Sequence, residues 1–124
     1  GVQKDTSIWY QAMDVFLMPS LFEGLPVVGI EAQASGLPCV FSDTITDEIV
    51  LSDRAVRLSL EQPDEAWAKE LIRLGTADRD RAEGRSVVRS AGYDIVEETK
   101  RLQEIYVSLI EKQSGHSIVM KKGE

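Results

Sequence analysis

The chain is short of several things, and each shortage narrows what it does. It has one cysteine, Cys39, in 124 residues. That excludes an internal disulfide, and a lone thiol in a short apolar run suits a reducing compartment. No apolar run approaches the roughly 20 residues that a membrane-spanning helix needs. The first residues carry no basic-then-apolar pattern of a secretory leader. The expectation is a cytoplasmic protein, with peripheral attachment to the inner face of the membrane, through a region outside this chain, as the variant. Basic residues are outnumbered 14 to 21 by acidic ones, giving a net charge of −7, which argues against nonspecific binding to nucleic acid or anionic membrane. Net charge acts globally, and backbone amides at a helix start still build a local phosphate site. The single histidine, His116, falls in a stretch without periodicity and reads as inert. No internal repeat or low-complexity tract is present.

What is there is ordinary globular composition, 43% hydrophobic and 28% charged, in a length suited to one small domain with one core. Asp5, Thr6 and Ser7 offer caps for a short helix through Met13. Val15 to Met18 is a continuous apolar run closed by Pro19-Ser20, the pattern of a fully buried strand. After a loop, Pro26 stands at the first helical position, where its missing N–H costs nothing. The helix it opens, about 27–35, is small or apolar apart from Glu31, Gln33 and Ser35, so it reads as buried. Gly36 stops it, with Pro38 just beyond. Strands follow at Cys39–Phe41 and Ala55–Leu60, with one helical turn near Thr46–Val50. Helices are expected at 64–75 and 78–90. A long last helix opens at Tyr93-Asp94, with Ile95, Val96, Leu102, Ile105, Tyr106, Leu109 and Ile110 as its apolar stripe. Residues 113–124 read as a frayed tail.

Alternating strands and helices predict an α/β fold. The expected architecture is a partial doubly wound, Rossmann-like parallel sheet of about three strands with C-terminal helices. Three strands is a thin version of that plan, which fits one half of a larger domain. Missing neighbours would leave the edge around Val15 to Met18 uncovered and favour self-association of the isolated chain.

The chemistry concentrates in the segment from Pro19 to Ala32. It leaves a strand and opens a helix, the place where open α/β sheets bind ligands. Free N–H groups and the positive end of the helix dipole suit a diphosphate, and Gly24 lets a ligand approach the backbone. Glu31 lies one turn beyond Val27, and helical side chains lean toward the amino end, so its carboxylate points back to the same mouth. A carboxylate beside phosphate needs hydroxyl donors, and a ribose diol offers two. Glu23, in the loop, can face the next group along, a sugar or its departing phosphate.

Ser20-x-x-Glu23-Gly24-Leu25-Pro26, the spacing Glu23-x7-Glu31, then Glu31-Ala32 and Gly36-Leu37-Pro38 resemble the E-x7-E signature of the retaining GT-B glycosyltransferases of group 1. The resemblance extends back through Ala12-Met13-Asp14-Val15 and, more loosely, forward to the last helix. Ser42-Asp43-Thr44-Ile45-Thr46 looks closest to members that build capsular or exopolysaccharides. The resemblance implies that Glu31 holds the donor ribose and that Glu23 is the catalytic residue at the donor sugar. It also implies that backbone at Gly24, Leu25 and Val27 serves the diphosphate. Residues 1–112 would then be the C-terminal part of the donor-binding domain. The expected partners are a nucleotide-sugar, a UDP-sugar first, and a saccharide or lipid-linked acceptor; no nucleic acid is expected. The acceptor domain and base pocket would lie upstream, leaving this chain inactive alone. No cofactor and no metal is implied. One departure is clear: many relatives carry Gly-Gly where this chain has Thr44-Ile45-Thr46.

Blander readings stand beside these. Asp78-Arg79-Asp80 spells the D-x-D of metal-dependent transferases, but it opens a polar helix instead of ending a strand, and reads as a solvated first turn. Cys39 reads as core, Trp9 and Trp67 as packing residues, and the face from Glu97 to Glu111 as the outside of the last helix. A nucleotide-sugar epimerase of the same fold is the enzyme alternative, and a noncatalytic binding domain is the alternative from another class.

Overall fold

The computed structural model describes residues 1–77 and 80–114. They divide into two units, residues 1–91 and residues from 92 onward. The first unit holds α1 (Ser7–Ala12), β1 (Phe16–Met18), α2 (Val27–Ala34), β2 (Cys39–Ser42), a 3₁₀ turn (Asp47–Ile49), β3 (Ala55–Leu58), α3 (Asp64–Gly75) and α4 (Gly84–Ser90). The second contains α5 (Ile95–Ser114). The three strands form a parallel sheet in the order β1-β2-β3, with Phe16 opposite Cys39 and Cys39 opposite Ala55. This is the expected α/β plan with C-terminal helices.

β2 is the centre of the fold. All four of its residues are buried, and Cys39, Val40 and Phe41 have no exposed surface. Successive strand residues point to opposite faces, so both faces are covered. α2 packs toward Phe41, and α3 also packs on β2. Tyr10, Ala32, Leu37, Cys39, Phe41, Ile45, Ile49 and Ala55 form the core, with Phe16, Met18, Leu25 and Ile30 packed against it. The rings of Tyr10, Phe16 and Phe41 follow one another at centroid spacings of 6.2 Å. Each such aromatic pair adds about 0.5–1.5 kcal/mol to plain burial. Burial also pushes the Cys39 thiol up to about 12, so it stays protonated and serves as packing volume.

Two burial expectations need correction. β1 is not fully buried: Leu17 is 44% exposed, because β1 lies at the edge of this sheet and only one of its sides is paired. Nor is α2 buried throughout. Gly29, Ala32 and Gln33 face inward, while Val27, Val28 and Glu31 are exposed. A helix against one sheet face buries a stripe, and apolar residues such as Val27 and Val28 on its outer side do not change that. The buried polar residue of α2 is Gln33. Its amide donates to the carbonyls of Gly29 (3.2 Å) and Ile49 (2.7 Å) and accepts from the Leu51 N–H (3.1 Å). It stitches α2 to the 3₁₀ turn with every contact satisfied.

Boundaries shift for identifiable reasons. Pro26 is the N-cap of α2, not its first residue, with φ −74° and ψ 117°. Asp5, rather than Thr6, receives the Ser7 N–H at 2.9 Å at the start of α1. On α1 the buried residue is Tyr10, while Trp9 is half exposed. Trp67 does pack, its indole N–H donating to the Ser59 carbonyl at 3.2 Å. α4 begins at Gly84, later than expected, because Arg81 is drawn elsewhere: its guanidinium donates to the carbonyls of Tyr10, Gln11 and Met13 and closes the end of α1. α5 starts where expected, the Asp94 carboxylate accepting from Val96 and Glu97, and continues to Ser114, two residues into the expected tail. Its apolar stripe is exposed. His116 and the rest of that tail lie outside the described residues.

Close backbone contact joins α2 to α4. Gly36 ends α2 at φ +72°, and a Cβ on Gly84 would sit 2.5 Å from the Gly36 nitrogen and 2.6 Å from the Gln33 oxygen. Gly84→Ala must therefore push α4 away, an overpacking cost of about 1–3 kcal/mol. By contrast, a methyl at Gly75 meets only ordinary contacts, the nearest at 3.8 Å, so Gly75→Ala is expected to gain about 0.5–1 kcal/mol from helix propensity. Urea titrations of the two variants should move in opposite directions from wild type; equal midpoints would contradict the close-contact argument.

Candidate functional site

The mouth lies where β1 runs into α2. β1 ends at Met18, and the loop from Pro19 to Pro26 carries the chain to the start of α2. No side chain caps that helix start. Among the described residues the amides of Val27 and Val28 have no protein partner. Such an end carries roughly half a positive charge and unfilled donors. It is open, with Val27 67% exposed and Leu21 and Phe22 standing out from the loop at 82% and 89%.

Glu31 sits on the second turn of α2, on its exposed side. Its Oε2 accepts a hydrogen bond of 2.9 Å from the Tyr10 hydroxyl. The phenol lies in the core while the carboxylate faces solvent, so the bond ties a mobile acid to a fixed ring. Burial, and then the hydrogen bond to and charge of Glu31, push the Tyr10 hydroxyl up to about 12, with Thr6 opposing. The phenol is thus a donor at any ordinary pH. The sequence predicts Glu31 as a charge on a buried helix whose partners come from a ligand. Instead its protein partner is Tyr10, and among the described residues Oε1 accepts no hydrogen bond.

Glu23 is half-buried in the loop, and its Oε1 accepts from the Ser20 hydroxyl at a long 3.4 Å. The loop itself is better held. The Ser20 carbonyl accepts from both the Ser42 hydroxyl and the Thr44 hydroxyl, the latter at 2.7 Å, and those two hydroxyls lie 2.9 Å apart. Thr44 therefore has a structural task in this chain: with Ser42 it fastens the Glu23 loop to the carboxyl end of β2. Leu25 packs against the core and Pro26 is buried, so the second half of the loop is anchored too.

Gly24 is exposed, and a Cβ built on it would meet nothing within 4 Å. Its φ is not positive. Nothing among the described residues requires glycine here, and the space beside it is open. The structure therefore gathers Glu23, Gly24, Leu25, Val27 and Glu31 into one loop and helix start. Three contributors were not visible as site residues in the sequence: Tyr10, Ser42 and Thr44. A tyrosine one residue after a tryptophan on a short amphipathic helix carries no signal of its destination.

Other candidates fall away from the mouth. Asp78 and Arg79 lie outside the described residues. Asp80 accepts from the Ala82 N–H and offers its carbonyl to Arg54 at 2.6 Å. It lines a small cavity with Gln33, Gly36 and Glu83, at the opposite end of α2 from Val27. Among the described residues no three His, Cys, Asp or Glu side chains group as metal ligands. No helix among them is long and apolar enough to cross a membrane.

The profile of the family "Glycosyl transferases group 1" matches residues 1–76. The chain belongs to that family. Among its relatives is the protein named "Putative glycosyltransferase EpsF" of Bacillus subtilis strain 168, 43% identical over 114 residues. That alignment covers 90% of this chain and 30% of EpsF. The UDP-Gal:alpha-D-GlcNAc-diphosphoundecaprenol alpha-1,3-galactosyltransferase of Escherichia coli is 27% identical over 89% of this chain and 29% of its own length. The D-inositol 3-phosphate glycosyltransferase of Nocardia farcinica is 36% identical over 78% of this chain and 22% of its own length. The chain thus spans less than a third of each of these relatives. No solved structure matches it significantly.

The contrast between a glycine the protein does not need and a hydroxyl it does is open to test. Gly24→Ala is expected to leave the unfolding free energy within about 0.5 kcal/mol of wild type. Ser42→Ala removes a fully buried donor to the Ser20 carbonyl and should cost about 1 kcal/mol. Thermal unfolding followed by circular dichroism reads both, and a strongly destabilised Gly24→Ala would mean that the open space beside it has been misjudged.

Proposed function

We propose that this chain is the donor-binding part of a retaining, nucleotide-sugar-dependent glycosyltransferase of polysaccharide biosynthesis. The observation that carries the reading is the uncapped start of α2, with one acid in the loop before it and another on its second turn. The open amides of Val27 and Val28 and the exposed backbone at Gly24 and Leu25 suit a diphosphate. Glu31, its Oε2 already fixed, turns its remaining acceptor capacity to a ribose diol. Glu23 lies on the loop before the phosphate site and meets the transferred sugar.

Negative charge grows on the departing diphosphate as the glycosidic bond breaks. Donors held in place before the reaction stabilise that charge without reorganising. The two glutamates are accordingly not the acid and nucleophile of a glycosidase. A UDP-sugar is the donor that fits best, in keeping with the E. coli relative's name, and that name also favours a lipid-linked saccharide acceptor, reached at the inner face of the membrane. The acceptor site and the base pocket belong to parts of the whole protein beyond these residues. The unpaired side of β1 favours self-association of the isolated chain.

In the full-length protein, Glu31→Gln is expected to weaken UDP binding roughly tenfold, since a neutral amide is a poorer acceptor for two hydroxyls. Glu23→Gln should lower turnover about 10–100-fold with a smaller change in UDP affinity. Calorimetry and donor kinetics separate the two, and unchanged UDP affinity in Glu31→Gln removes its assigned role. The helix end already opposes the diphosphate charge, so activity should survive excess chelator. Activity lost with chelator and restored by Mg²⁺ would instead assign that task to a divalent ion.

A further inference from the structure

Within the donor-site reading just given, on which this rests, we infer that Tyr10 is a positioning residue that orients Glu31 for the ribose hydroxyls. The ring is held in the core. It is 6% exposed, stands edge-on to Phe16 at 6.2 Å, and belongs to the core cluster that includes Cys39 and Ala55. Its backbone is fixed as well, since the Arg81 guanidinium donates to the Tyr10 carbonyl at 3.0 Å and to those of Gln11 and Met13. Glu31, in contrast, is a long side chain on the solvent side of α2. Without a partner it would sample several rotamers, and ordering it on ligand binding would cost entropy.

The hydrogen bond at 2.9 Å to Oε2 settles that order before a ligand arrives. A carboxylate has about four acceptor sites and no donor. Tyr10 occupies one of them, and the others stay directed away from the core, where a vicinal diol could donate to them. The phenol cannot itself replace the carboxylate, because it is buried and its proton is committed. Its task is to select a geometry. An acid held in this way should distinguish a ribose diol from a sugar lacking those hydroxyls, and the distinction should depend on the phenol proton.

The experiment compares UDP with 2′,3′-dideoxy-UDP in the full-length protein, by calorimetry, for wild type, Tyr10→Phe and Glu31→Gln. Tyr10→Phe keeps the ring and removes only the donor. It is expected to lower UDP affinity three- to tenfold while leaving dideoxy-UDP affinity unchanged, so the ratio between them falls toward that of Glu31→Gln. Donor KM should rise by a similar factor with kcat changed less. A Tyr10→Phe protein that keeps the wild-type ratio, while Glu31→Gln loses it, overturns the role of Tyr10 and leaves the donor site standing. A Glu31→Gln protein that keeps the ratio overturns the donor site and this inference with it. A loss of affinity for both ligands alike in Tyr10→Phe marks general loosening and also overturns it. Should that variant fail to fold, an acidified fluorotyrosine at position 10 retains ring and hydroxyl. UDP affinity must then fall as pH rises through its ionisation, because a phenolate repels Glu31 and donates nothing; affinity independent of pH overturns the inference.

Discussion

Everything in the first unit is arranged around the close approach of α2 to β2. A Cβ on Gly29 would stand 2.9 Å from the Phe41 ring and 2.9 Å from the Ile49 side chain, so the helix lies as near the sheet as backbone allows. That contact turns Ala32 and Gln33 inward and leaves Glu31 on the outer side. It also places the amino end of α2 at the carboxyl edge of the parallel strands, where free amides accumulate. The burial of Phe41, worth roughly 2–3 kcal/mol by transfer, therefore supports packing and places the acid at once.

The loop between β1 and α2 illustrates how an exposed segment is kept in shape without being filled in. Leu25 and Pro26 anchor its second half through burial, and the Ser42 and Thr44 hydroxyls anchor its first half through the Ser20 carbonyl. Between those two anchors stand Glu23 and Gly24. Among the described residues neither makes a contact that explains its identity: the Glu23 hydrogen bond is long, and the space beside Gly24 is empty. In the proposed donor site, the partner these two residues lack within the fold is the ligand.

Much of this was legible from order and spacing alone. Pro26, Gly36 and Pro38 punctuate α2, and each acts through its own covalent geometry, so its effect needs no tertiary context. The apolar stretches of β1 and β2 were readable as strands for the same reason. Burial was harder. Val15 to Met18 reads like Cys39 to Phe41, yet Leu17 is 44% exposed and Val40 has no exposed surface. The difference is position in the sheet, edge against centre, and no property of either segment records it. The late start of α4 is similar, since Arg81 leaves the helix to close α1 about 70 residues away in sequence.

The sequence by itself determined the order of elements and the two acids with their spacing, because those follow from backbone chemistry and from side chains adjacent in the chain. Only the tertiary structure decided what those acids touch. Whether Glu31 would be buried or exposed depended on which face of α2 met Phe41. That Tyr10 would reach it depended on α1 lying beside α2 with its ring in the core. Hydrogen bonds between residues 21 positions apart, such as Tyr10 to Glu31, leave no periodic trace in the chain. They exist only once packing has brought their partners within about 3 Å.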